Sequence, residues 1–141
     1  MASEVDIRQR LGEPNYRGTW AGNHTVGTFD MYVLRRNLGN IIERNDPHSP
    51  ETHFREAVDN VEGVIFDDLG MSIFSGEIGE RSVRFTKTYA QNARHSGVFH
   101  ELDYTGTRAD GKTVFRGNYT PQGLPSIKGE FTLFELHPLD K

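Results

Sequence analysis

Apolar and polar residues alternate along most of this chain. On one parity stand Phe74, Val83, Phe85, Tyr89, Leu102, Tyr104, Phe115 and Tyr119; on the other stand Glu77, Arg84, Thr86, Thr88, Glu101, Asp103 and Arg116. A period of two places successive side chains on opposite faces, so the pattern predicts short antiparallel strands with one face in a core and one in water. The same hairpin is written twice. Ser75 to Tyr89, "SGEIGERSVRFTKTY", overlies Thr105 to Tyr119, "TGTRADGKTVFRGNY", without a gap: Gly76 falls on Gly106, Phe85 on Phe115 and Tyr89 on Tyr119. An aromatic, Phe74 or Tyr104, precedes each glycine by two positions. Each copy reads as a strand, a tight turn at Gly79-Glu80 or Asp110-Gly111, and a returning strand. A turn at Gly79-Glu80 sets Phe74 opposite Phe85.

A looser third copy starts at "TWAGNHTVGTFDMYVLRR", with Trp20, Ala21 and Gly22 in the places of Phe74, Ser75 and Gly76. Continued along the chain, the pattern gives strands at about 16–23, 27–36, 61–67, 69–77, 81–89, 97–107, 112–120 and 127–136. Eight is a count at which an up-and-down meander can close. The expected fold is all-β, an eight-stranded antiparallel up-and-down β-barrel, with two helical interruptions. Ser3 can cap a short helix ending near Leu11. Ser49-Pro50-Glu51 reads as a cap, a first-turn proline and an acid near the positive helix end. With Phe54, Ala57, Val58 and Val61 at three-and-four spacing, it predicts a helix over about 49–60, between the second and third strands.

Composition narrows the classes. At 141 residues the chain is one domain's worth, and the whole of 1–141 is expected as a single barrel. There is no cysteine, which removes disulfides and thiolate chemistry. A formal charge of −4 has the wrong sign for a phosphate backbone, so a nucleic-acid partner is not expected. No stretch has the length and apolarity of a signal peptide or a membrane span, and the expected location is the cytoplasm, with no membrane partner. The sequons at Asn23 and Asn118 then carry no weight.

The segment Gly18-Thr19-Trp20, on a first strand that follows a short helix, resembles the Gly-x-Trp signature of the calycin superfamily: lipocalins, fatty-acid-binding proteins and avidins. The eight-strand meander extends the likeness to nearly the whole chain in architecture. The resemblance implies that Trp20 closes the barrel floor. The absent disulfide departs from lipocalins, the single Trp from avidins, and the position of the second helix from fatty-acid-binding proteins.

The aromatic face has two exceptions, Lys87 between Phe85 and Tyr89, and His100 between Val98 and Leu102. Desolvation favours the neutral form of an amine in an apolar cavity, and a histidine beside tyrosines can exchange a proton near neutral pH. Such groups could build an acid-base site or an anion pocket. The plainer reading, which the residue types favour, is a lysine reaching the rim and a hydrogen-bonded core histidine. Asp67-Asp68 cannot present both carboxylates to one substrate from a strand and reads as turn chemistry. His48 and His53 lack the spacing for a shared helix face. No phosphate loop, nucleophile elbow, zinc spacing or dinucleotide fingerprint occurs.

These features point to a barrel that binds a small hydrophobic or aromatic molecule, its pocket lined by Trp20, Phe74, Phe85, Lys87, Tyr89, His100, Tyr104, Phe115 and Tyr119, with no cofactor and no metal. The alternatives are a cofactor-free isomerase or cyclase using His100 or Lys87 as the proton carrier, and a structural or homo-oligomer-forming barrel with a filled interior.

Overall fold

The chain forms a closed barrel of eight antiparallel strands in sequence order. A computed structural model describes residues 4–22, 25–46, 49–68, 70–89, 101–108, 113–122 and 128–136. One helix, α1 (Glu4–Leu11), precedes the strands β1 (Tyr16–Gly22), β2 (Thr25–Asp46), β3 (Ser49–Asp67), β4 (Gly70–Gly79), β5 (Ser82–Tyr89), β6 (Glu101–Thr107), β7 (Val114–Pro121) and β8 (Gly129–Glu135). β1 pairs with β8 through such partners as Gly18↔Leu133 and Trp20↔Phe131, which closes the sheet and leaves no open edge in the barrel wall. No helix among the described residues is long and apolar enough to cross a membrane.

Parity sorts the side chains as the alternation implies. Met31, Ile65, Phe74, Val83, Phe85, Tyr104, Phe115, Phe131 and Leu133 point inward and are buried in one cluster. The aromatic rings interlock at its centre. Phe85 stacks on Tyr104 at 4.6 Å between centroids, and Phe131 meets both edge-on at 6.3 and 5.2 Å. Such offset and edge-to-face contacts suit the ring quadrupoles and add to the area buried. Both hairpin copies therefore serve one core.

The β4–β5 register differs from the sequence expectation. The loop is Glu80-Arg81, one residue later than Gly79-Glu80, so Phe74 faces Lys87 and Gly76 faces Phe85. Moving the turn by one residue shifts the pairing by two, which preserves parity; the face was right and the partner was not. The Asp110-Gly111 turn lies outside the described residues.

The expected helix over 49–60 is strand. β2 and β3 continue past the barrel as a two-stranded arm, with Ile41↔Ala57, Glu43↔Arg55 and Asn45↔His53 in register. β4 pairs with Val58–Asp67 of β3 and β1 with Thr25–Met31 of β2, so beyond those points each arm strand pairs, among the described residues, with the other arm strand alone. The cap signature at Ser49 lost to this ladder, which satisfies across the hairpin the backbone groups a helix would have satisfied internally. Bulges between Val33 and Arg35 and between Asn37 and Asn40 bend the arm, the second with Gly39 at φ +88°, a left-handed conformation that suits glycine. Its root is fastened by the buried Glu56, whose carboxylate accepts hydrogen bonds from the amides of Arg81 (2.5 Å) and Ser82 (3.1 Å) and from the Ser82 hydroxyl (2.5 Å).

The helix α1 lies outside the barrel. Tyr32 and Phe66, outward-facing yet buried, meet edge-on at 5.8 Å. The Arg8 guanidinium stands over the Phe66 ring and pairs with Asp30, while the Tyr32 hydroxyl donates to the Gly12 carbonyl at 3.2 Å. The first helix is thus as expected in extent and packs on the wall formed by β2 and β3.

Candidate functional site

The two ends of the barrel are chemically different. At the end carrying the arm, Arg36 pairs with Asp59 at 2.9 Å and Arg108 approaches Glu135 at 3.8 Å, around the buried Tyr16. Arg108 also covers the Phe115 ring, 4.6 Å from its centroid. Two cations balanced by two carboxylates over apolar rings make a stopper whose charges are already matched.

The opposite end holds Lys87. Its position on β5 follows from alternation, one step along the inward face from Phe85, and pairing sets it across from Phe74 on β4 and Leu102 on β6. The ammonium donates to Asp67 Oδ2 at 3.1 Å and to the Tyr89 hydroxyl at 2.8 Å, and the Tyr89 hydroxyl donates to the same Asp67 oxygen at 2.5 Å. The Lys87 and Asp67 side chains are 3% and 2% exposed. Aromatic faces complete the surroundings: Lys87 Nζ lies 4.5 Å from the Tyr89 ring centroid, 5.4 Å from that of Tyr104 and 6.0 Å from that of Phe29. A cation over several ring faces is stabilised by their quadrupoles, and more so away from water.

Burial pushes the Tyr89 phenol well above its ordinary value; Lys87 lowers it and the bond to Asp67 raises it further. Tyr104 is raised as well, chiefly by desolvation and then by Tyr119 and Asp67, and Tyr119 is raised by desolvation against the pull of Lys87. All three hydroxyls are therefore protonated near neutral pH and act as donors. The proton of Tyr89 is committed to Asp67. Tyr104 and Tyr119, directly paired across β6 and β7, stack at 5.2 Å with their planes 27° apart.

Two aromatics at this end are half-buried although they face inward, Trp20 and Tyr119. Each lies flat on a glycine of the next strand: a Cβ at Gly27 would overlap the Trp20 indole, and one at Gly129 the Tyr119 ring. The glycines make room for the two rings against the wall.

The structure thus gathers Lys87, Tyr89, Tyr104, Tyr119 and Trp20 from the expected lining. Trp20 stands beside the β1–β2 turn at the lysine end and is half-buried. Phe74 and Phe85 form the packed layer beneath the cluster, edge-on at 5.8 Å. Phe115 does not join them; it belongs to the stopper at the other end. His100 lies outside the described residues, as do His48 and the side chain of His53. Sequence reasoning missed Asp67. The rule that neighbouring strand residues point apart was correct, since Asp67 turns inward while Asp68 is exposed. An inward lysine needs an inward acid at its own level, and Asp67 shares the parity of Val61 and Ile65; that signal was present in the sequence.

No protein-family model, curated protein or solved structure matches the chain.

Proposed function

We propose that this barrel binds a small, neutral, amphipathic molecule at the end marked by Lys87. The observation that carries the reading is the state of the charges there: Lys87 is already neutralised by Asp67, both out of water, while two inward-facing aromatics of the same end, Trp20 and Tyr119, are only half-buried. A site that recognised an anion would keep its ammonium unmatched, because a buried carboxylate on the same nitrogen cancels the attraction. What this end offers a guest is aromatic area and hydroxyl donors. Packing by Phe74, Phe85, Phe115, Phe131 and Leu133 limits the guest to this end of the barrel. The helix ahead of the first strand, with Gly18-Thr19-Trp20 upon that strand, supports a calycin-like reading of the chain.

Native mass spectrometry of protein purified from its own host tests the proposal by looking for a retained small molecule. Quenching of Trp20, the only tryptophan, gives an independent readout. A neutral aromatic such as 2-ethylnaphthalene should saturate the quenching, and the anion 2-naphthoate should bind at least about tenfold more weakly. Absence of any retained molecule together with absence of quenching by the neutral probe overturns the reading.

A further inference from the structure

The outer wall of the barrel carries an apolar row that is only partly covered. Tyr32 on β2, Val64 on β3 and Ile73 on β4 are in direct register, and pairing in register puts all three on the outward face. Under α1 the row is closed: Tyr32 is buried, packed on Phe66 and bonded to Gly12. Past the helix it is open. Ile73 is 58% exposed, and Leu34, the residue added by the bulge between Val33 and Arg35, is 56% exposed. With Val64, Thr86 and Thr88 they line a surface groove of about 400 Å³. Large apolar residues scattered singly are ordinary on a surface, but two that share one groove and continue a covered row mark an interaction site.

Charge indicates the kind of partner. Glu62, also in the groove, is matched by Arg35 at 3.2 Å. On the far side β6 sets Glu101 and Asp103 next to Thr88 and Thr86. Asp103 accepts from the Thr86 hydroxyl at 2.7 Å, and neither carboxylate has a cationic partner among the described residues. The helix α1 shows how this wall holds a helix, since its Arg8 pairs with Asp30 and covers the Phe66 ring. A second helix of that chemistry would lay an apolar stripe on Leu34, Val64 and Ile73 and turn basic residues to Glu101 and Asp103. Nucleic acid and acidic lipid headgroups would meet the wrong sign there.

We propose that this groove docks an amphipathic helix of a partner protein, apolar on one face and basic along its flank, lying beside α1. The site is on the outside of the wall and does not depend on what the barrel binds within.

The test uses a fluorescein-labelled helical peptide of leucine and lysine with the leucines on one face, a second peptide with glutamate in place of every lysine, and anisotropy on the intact chain. The lysine peptide should bind saturably, and the glutamate peptide at least about tenfold more weakly. Leu34→Ser combined with Ile73→Ser should weaken the lysine peptide about tenfold, and Glu101→Lys about fivefold. Val26→Ser, which removes an exposed apolar residue elsewhere on the wall, should change it by less than about twofold. No saturable binding, equal binding of the two peptides, or a paired serine variant that loses no more than Val26→Ser refutes the proposal. Sedimentation of the chain alone should give a monomer; a dimer that the two serines dissolve would make a second copy the occupant and overturn it as well. Should the paired serine variant fold poorly, Glu101→Lys decides alone.

Discussion

Lys87 Nζ stands 3.1 Å from Asp67 Oδ2, and both side chains are withdrawn from water. Each offsets much of the cost of burying the other. Lys87→Met leaves a buried carboxylate without its cation and should cost about 3 kcal/mol or more; Asp67→Asn, which strands the ammonium, should act in the same direction. Combining Lys87→Met with Asp67→Asn should recover more than half of the loss, because no net charge is left inside. Urea denaturation of the three variants checks this, and a fully stable Lys87→Met would remove the pair from any structural account.

Alkali should unfold the protein through its tyrosines. Tyr16, Tyr89 and Tyr104 are all raised above the ordinary value near 10, burial being the largest cause in each, with Glu135 adding to the rise at Tyr16. Between the ordinary value and the raised one, the unfolded chain gives up protons that the folded chain keeps. Stability from these groups is therefore complete below pH 10 and falls above it, by about 1.4 kcal/mol per pH unit for each tyrosine. Absorbance at 295 nm and circular dichroism, followed together, should show ionisation and unfolding in one step. Ionisation of most tyrosines before any loss of structure would contradict the burial of their hydroxyls.

Gly27 and Gly129 are the floors on which Trp20 and Tyr119 lie. Gly27→Ala should lift the indole toward water and move Trp20 emission to longer wavelength. Gly129→Ala should displace the Tyr119 ring, with a stability cost of about 1–3 kcal/mol for overpacking. Unchanged emission in Gly27→Ala would show that the indole does not rest there.

The arm should be separable from the barrel above its fastening. Removing residues 43–55 and joining Ile42 to Glu56 through Asn-Gly retains the Ile42↔Glu56 pair and the bonds from Glu56 to the 80–82 turn. The shortened chain should keep its sheet spectrum and a thermal midpoint within a few degrees of the parent. Glu56→Ala, which strands two amides and a hydroxyl, should be the more damaging change, at about 2–4 kcal/mol. A trimmed chain that unfolds would place the arm in the barrel's own stability.

The barrel was legible because its walls separate a core from water. Phe74, Phe85 and Tyr104 had to share a side, and an error of one residue in the Glu80-Arg81 loop changed partners without changing faces. The arm was not legible for the converse reason. Beyond Arg36 and before Glu56 the alternation fades, and Leu38 and Ile41 stand exposed with no core to face. What remained in the sequence was local: a serine, a proline and an acid in the order a helix favours, with Val58 and Val61 at a helical interval. Both valines are buried, as a helix face would require, but by β-pairing at the arm's root. The site was half visible. Lys87 announced itself as a charge among aromatics, while Asp67 was hidden by its neighbour, because Asp-Asp before a glycine resembles a turn whether or not one carboxylate points inward.

The seam between β1 and β8 joins strands from nearly opposite ends of the chain, Gly18 to Leu133 and Trp20 to Phe131. Every other pairing in the wall links consecutive strands and can form as the chain lengthens. This one waits for the last strand to be synthesised. Until then β1 and the growing end of the sheet are both free edges, with the aromatic interior open between them. The slow, closure-limited step in folding belongs to that seam, and so does the period in which a nascent copy can pair with another molecule instead of itself.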